Sequence, residues 1–307
     1  ESPDDLTQGH RKKRKTPRSH QIEAINSVEE GLKDADRGQL LMACGTGKTL
    51  TALWIKERIK AKRSLVLVPS LSLLSQILRD WTAGASEPFD PMCVCSDKSV
   101  ASRDKVEDDW ISNTSEIGAP VTSDSEEIKE FLKRDSSQVV FSTYQSSQLI
   151  AEAQRDLSVP EFDIAFADEA HRCAGKVSDA FGCVLDEKQI RSNKRLFLTA
   201  TPRVLSKQIK SKAKENEIDV VSMDDHSVFG KVLYQLNFSK AIENDLLSDY
   251  RVVVVGIDDP MVEEKIRNRD LLSTGTEITT DAETLASHIA LAKATKDYEL
   301  KRLITFH

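Results

Sequence analysis

Short apolar runs alternate with amphipathic stretches along most of this chain. "QLLMA", "SLVLVP", "PMCVCSD", "QVVFSTYQ", "FDIAFADEAH" and "KRLFLTATP" each carry an apolar segment of strand length, bounded by Gly, Pro or charged residues. Between them, "SHQIEAINSVEEGLKDADRG", "KTLTALWIKERIKA", "LSLLSQILRDW", "SEEIKEFLKR" and "SSQLIAEAQRDL" read as helices. In the first of these, Ile22, Ile25, Val28 and Leu32 recur at helical spacing, Ser19 can cap the start, and Gly38 marks the stop. Buried strands alternating with helices predict an α/β fold, a parallel sheet with helices on both faces.

The last hundred residues are less regular. "KVLYQLNF" and "YRVVVVGI" are expected strands around the short helix "SKAIENDLL", and "DAETLASHIALAKATKDYELKR" is an expected helix. "LITF" starts another strand just before His307, which predicts that the sequence is cut inside a further domain. The polar stretch from Lys98 to Ser125, rich in Ser and Asp, reads as a long surface insertion. Residues 1–17 read as a flexible leader. Its basic track, Arg11 to Lys15, is either a solvated segment or a contact to phosphates.

Composition narrows the class. The 307 residues suffice for one large domain or two modest ones, and 39% hydrophobic with 30% charged residues is the balance of a soluble globular protein. No apolar run is long enough to cross a bilayer, and "ESPDDLTQGH" is no signal peptide, so a cytoplasmic protein is expected. Cys44, Cys93, Cys95, Cys173 and Cys183 lack zinc-ligand spacing and are expected to be reduced, mostly buried thiols. A net charge of −7 excludes a module that coats nucleic acid by bulk charge; any such contact has to be local.

Candidate chemistry enters with "LLMACGTGKTL". In an open parallel sheet, ligands sit beyond the carboxyl ends of the strands, and "CGTGKT" occupies that place between strand and helix. Gly45 and Gly47 let the backbone of Cys44, Gly45, Thr46 and Gly47 curl so that its N–H groups approach a phosphate chain, and the helix adds its positive end. Lys48 can reach the β- and γ-phosphates of a nucleotide, and the Thr49 hydroxyl can ligate Mg²⁺. Met42 stands where the strict motif has its first glycine, so the loop is a variant. "ADEAH" then ends an apolar strand in two adjacent carboxylates, an arrangement that a metal explains. Asp168 can hold Mg²⁺ through its water shell, Glu169 can deprotonate an attacking water, and His171 can sense the γ-phosphate.

At these residues the chain resembles the superfamily 2 helicases and translocases of the DEAH type, from Arg18 onward. "CGTGKT" and "DEAH" match motifs I and II; "PRSHQ" resembles the adenine-reading motif, with Arg18 and Gln21 at the matching positions. "LVPSLSLLSQ" resembles motif Ia, "FSTYQS" the Thr-Tyr motif that touches the nucleic-acid backbone, "LTATP" motif III, and "LITFH" motif IV. Wording such as "RGQLLMACGTGKT" and "DYRVVVV" is similar to the helicase part of type ISP restriction–modification enzymes.

The resemblance implies a RecA-like ATP-binding domain at 18–257, with 258–307 forming a linker helix and the first strand of a second such domain. It implies ATP and Mg²⁺ as cofactors and DNA, in duplex form, as partner. Ser70, Leu71, Thr143 and Tyr144 would touch the DNA backbone, and Thr199 and Thr201 would couple hydrolysis to movement. It further implies a second RecA-like domain beyond His307, with nuclease, methyltransferase and target-recognition parts elsewhere. Motifs V and VI are not met before His307, so this chain alone is expected to bind ATP·Mg²⁺ weakly and hydrolyse it poorly. An RNA helicase and an ATP-gated binding module without motor action remain open alternatives, the presence of Glu169 weighing against the second.

Overall fold

The structure, a computed structural model, describes residues 14–95, 119–176, 182–216, 218–250, 271–273, 279–301 and 303. The chain divides into two compact units, Glu1–Ser248 and Asp249–His307. The boundary expected at residue 257, the expected strands "YRVVVVGI" and "LITF", and most of the leader and the Ser/Asp-rich insertion lie outside the described residues.

The first unit is built on an eight-stranded sheet. Its strands are β1 (Arg37–Met42), β2 (Arg63–Val68), β3 (Asp90–Val94), β4 (Val121–Thr122), β5 (Gln138–Thr143), β6 (Ile164–Ala167), β8 (Arg195–Thr199) and β10 (Lys231–Leu236), while the short β7 (Gly175–Lys176) and β9 (Val220–Val221) pair separately. The order is β10-β1-β8-β6-β2-β5-β3-β4, and every neighbouring pair in it is parallel. Helices α1 (Ser19–Asp34), α2 (Lys48–Arg58) and α3 (Leu71–Gly84) supply one core, with Leu40, Met42, Val66, Phe141, Phe166 and Leu198 from the strands. The alternate strand residues, Leu65, Leu67, Val140, Ala165 and Phe197, face a second core with α4 (Ser125–Leu132), α5 (Ser147–Ala153) and α7 (His226–Phe229). This period-two split is the pleat of a sheet buried on both faces, as the near-continuous apolar strand runs predict. Two short helices, α6 (Lys207–Glu215) and α8 (Phe238–Glu243), complete the unit.

Three local readings change. Helix α1 is capped at Arg18, not Ser19, because the Gln21 side chain turns back and its Oε1 accepts from Arg18 N at 2.9 Å. Gly38 does not stop α1, which ends at Asp34; it lies inside β1, where a Cβ would fall 2.4 Å from Leu233 of β10. The glycine there permits close strand packing. The leader is also tied down at Arg14, whose Nε donates to Gly84 O at 2.8 Å and whose guanidinium pairs with Glu57.

In the second unit, β11 (Leu271–Ser273) pairs antiparallel with β12 (Thr279–Asp281), which runs into α9 (Ala282–Asp297). Among the described residues no helix is long and apolar enough to cross a membrane.

Candidate nucleotide site

The carboxyl ends of β1, β8 and β6 lie abreast, with Leu41 opposite Thr199 and Ala167 opposite Phe197. β1 runs into the glycine loop. Gly45 and Gly47 both take left-handed backbone, at φ +81° and +87°, and Gly47 caps α2. Thr46 is buried and braces the turn through Oγ1, which donates to Ala43 O at 2.7 Å. Cys44 and Gly45 are exposed at the rim, while Gly47, Lys48 and Thr49 are half-buried. α2 thus starts at the rim of the loop with no side chain capping it, and the unpaired first N–H groups of a helix are what an anion site requires.

β6 delivers the facing carboxylates. Lys48 Nζ lies 3.2 Å from Glu169 Oε1, joining residues far apart in sequence. His171 Nδ1 is 3.3 Å from Glu169 Oε2 and 2.9 Å from Thr199 Oγ1, and Thr199 Oγ1 also accepts from Thr201 N at 3.2 Å. One chain of contacts thus runs from the loop lysine through Glu169 and His171 to the end of β8. The hydrogen bond from His171, with help from Lys48, holds the Glu169 carboxyl below its usual range against the pull of burial. Asp168 is 9% exposed, and burial lifts its carboxyl to about 6 despite the nearby Lys48 ammonium.

The donor set fits a magnesium-bound nucleotide. Thr49 and Asp168 are close enough to share the wall of one small void, otherwise lined by apolar core residues, and a buried carboxylate short of compensating charge suits a cation at the site's mouth. Among the described residues, no group of three or more His, Cys, Asp or Glu is placed to hold a metal. Mg²⁺ does not need one, since it keeps waters and takes phosphate oxygens alongside one or two carboxylates.

The remaining expected residues fall as follows. Gln21 is buried and its Nε2 donates to Gly47 O at 3.2 Å and Thr51 Oγ1 at 3.3 Å, so its amide faces the glycine loop; Arg18 is exposed beside it. Ser70 is a buried helix cap, its Oγ accepting from Leu73 N at 3.3 Å, and Leu71 is buried behind it. Thr143 and Tyr144 present no exposed side chain for a DNA backbone. Thr143 Oγ1 donates to Ser146 Oγ at 3.2 Å, and Tyr144, 0% exposed, donates its hydroxyl to Asp168 O at 2.7 Å. Thr199 is buried and Thr201 exposed.

Two further residues brace the loop. His20 Nε2 lies 2.9 Å from Thr46 O, and its Nδ1 has no partner among the described residues. Trp81 Nε1 donates to Thr49 O at 3.0 Å while its ring meets Phe141 and Phe166 edge to face. The apolar periodicity of α3 marks Trp81 as core, but only the fold reveals what its N–H reaches.

This sheet order, glycine loop and facing Asp-Glu pair define a RecA-like nucleotide-binding core of the helicase type. A family model described as "Type III restriction enzyme, res subunit" matches residues 14–204, and the chain belongs to that family. Among solved structures, the ATP-dependent type ISP restriction-modification enzyme LlaBIII bound to DNA is 35% identical with a TM-score of 0.65, covering 83% of this chain and 17% of that one. A nuclease-deletion mutant of the type ISP enzyme LlaGI, in complex with a DNA substrate mimic, is 34% identical with a TM-score of 0.58, over 83% of this chain and 22% of that one. A probable helicase of African swine fever virus is 30% identical over 256 residues, 82% of this chain and 25% of the viral protein. The superfamily 2 and type ISP resemblance drawn from the motifs is thereby borne out. The chain spans a quarter or less of the length of these relatives.

Proposed function

We propose that this chain is the ATP-binding half of a translocase motor that moves along duplex DNA within a large restriction–modification polypeptide. The contact between Lys48 Nζ and Glu169 Oε1 carries the reading, because it joins the phosphate-loop lysine to the carboxylate that would activate water. Relatives described as ATP-dependent and as DNA-bound support ATP as the cofactor and DNA as the partner. Residues 18–257 would form the first core and 258–307 the lead into a second. The second core, nuclease, methyltransferase and target-recognition parts would complete the enzyme, working in the cytoplasm where its DNA and ATP are found.

In this reading the backbone N–H groups of Gly45, Gly47 and Lys48 bind the phosphates. Thr49 and Asp168 would hold Mg²⁺, which when bound supplies charge stabilisation at the phosphoryl oxygens. Lys48 leaves Glu169 for the phosphate chain, and Glu169, freed of its ion pair, accepts a proton from water. His171, between Glu169 and Thr199, relays the change to the end of β8.

The test uses the full-length polypeptide. Lys48→Ala should weaken Mg·ATP binding measured by calorimetry. Glu169→Gln should keep that binding and lower DNA-stimulated phosphate release by about a hundredfold or more, the usual range for a lost general base. Unchanged turnover in Glu169→Gln sinks the mechanism. Stronger stimulation by RNA than by duplex DNA would replace the DNA assignment with an RNA one.

A further inference from the structure

Glu169 sits in left-handed backbone, φ +49° and ψ +44°, without being glycine. Residues with a side chain hold that conformation only where their surroundings impose it. Asp168 N donates to Leu67 O at 2.9 Å, which closes the β6 ladder. Glu169 N donates to Asp168 Oδ1 at 3.0 Å, and Arg172 N to Glu169 O at 3.0 Å, both local. The remaining bond comes from another element. Tyr144 donates its hydroxyl to Asp168 O at 2.7 Å, fixing the carbonyl of the peptide that joins the two carboxylates. Rotation of that peptide would swing Glu169 away from Lys48 and His171.

Tyr144 is built to hold. It is fully buried, so its hydroxyl donates within the protein and not to water. Its own backbone is fastened, with Ser147 Oγ donating to Tyr144 O at 2.7 Å. The single helical turn Tyr144–Ser146 leads directly into α5, and on this segment Gln145 and Gln148 are exposed. One end of the segment therefore grips the carboxylate peptide while its other side faces solvent with side chains able to donate and accept hydrogen bonds.

We propose that Tyr144 is a positioning residue: it holds the peptide between Asp168 and Glu169, and with it Glu169, in its working orientation. This rests on the translocase reading above and replaces direct DNA contact as the role of Tyr144.

The experiment is Tyr144→Phe in the full-length polypeptide, with kcat counted per nucleotide-binding site so that lost folded protein does not read as lost rate. Mg·ATP and DNA affinities should stay within about twofold, while DNA-stimulated kcat falls by about tenfold or more, the order expected for a misplaced catalytic group. A kcat within about twofold of wild type, with or without a lower unfolding temperature, overturns the inference, since a merely structural hydroxyl changes stability and not rate per site. Loss of nucleotide affinity together with rate also overturns it, because Tyr144 would then support the whole site. Wild-type protein that hydrolyses no ATP with any nucleic acid would fail the translocase reading itself, an outcome distinct from an active wild type matched by its Phe variant.

Discussion

Gly47→Ala measures how closely α1 is fitted to the glycine loop. Gly47 lies at φ +87°, where an alanine costs about 1–2 kcal/mol. A Cβ there would fall 2.5 Å from Gln21 Nε2, so the buried amide must move and give up its bonds to Gly47 O and Thr51 Oγ1. Two neutral hydrogen bonds contribute about 0.5–1.5 kcal/mol each, which brings the whole loss to about 2–5 kcal/mol. For a unit of this size that is a fall in unfolding temperature of about 4–20 °C. The assay is urea denaturation of wild type, Gly47→Ala, Gln21→Ala and the double variant. In the Gln21→Ala background only backbone strain remains, about 1–2 kcal/mol, so the cycle should return a coupling of about 1–3 kcal/mol. Equal costs for Gly47→Ala in both backgrounds would refute the reasoning, for then Gln21 does not oppose the added carbon.

Trp81→Phe removes the donor to Thr49 O and part of a ring packed between Phe141 and Phe166; it should cost about 2–3 kcal/mol by denaturation and weaken Mg·ATP binding as Thr49 loosens. Arg195, 1% exposed, donates to the carbonyls of Val184, Ile190 and Ser192. Arg195→Met should therefore cost about 3 kcal/mol in stability through unpaired acceptors, yet leave nucleotide affinity within about twofold, because Arg195 starts β8 and the site lies at its other end. Cys44 is exposed while Cys93 and Cys173 are pushed by burial to about 12, so at pH 8 their thiolates are scarce. A thiol reagent should label one cysteine per native chain quickly and more slowly with Mg·ATP present; fast labelling of a second would contradict the burial.

Much of the site was legible because its chemistry is local. The loop "CGTGKT" needs only its own backbone and the start of α2, and "ADEAH" needs only the end of β6. Buried apolar runs announced the parallel sheet for the same reason. What stayed hidden depends on partners distant in sequence. Tyr144 reads as a motif residue facing a ligand until its hydroxyl is seen on Asp168 O. His20 reads as an ordinary helical histidine until its ring meets Thr46 O. Gln39, a polar residue in a fully buried strand, gives no clue that its amide donates to Met223 O and Gly230 O. The lysine-rich α6 lacks an apolar face long enough to announce itself, since Ala213 alone is buried along it.

The strand that feeds the phosphate loop is flanked by β8 and β10, and both are encoded at least 150 residues later in the chain. During synthesis at roughly 5–20 residues per second, β1 must wait on the order of ten to thirty seconds before either neighbour leaves the ribosome. Through that interval the nascent polypeptide carries a six-residue strand, buried throughout in the folded unit, with no mate, a natural client for a holding chaperone, and the nucleotide cradle can close only once translation has passed Leu236.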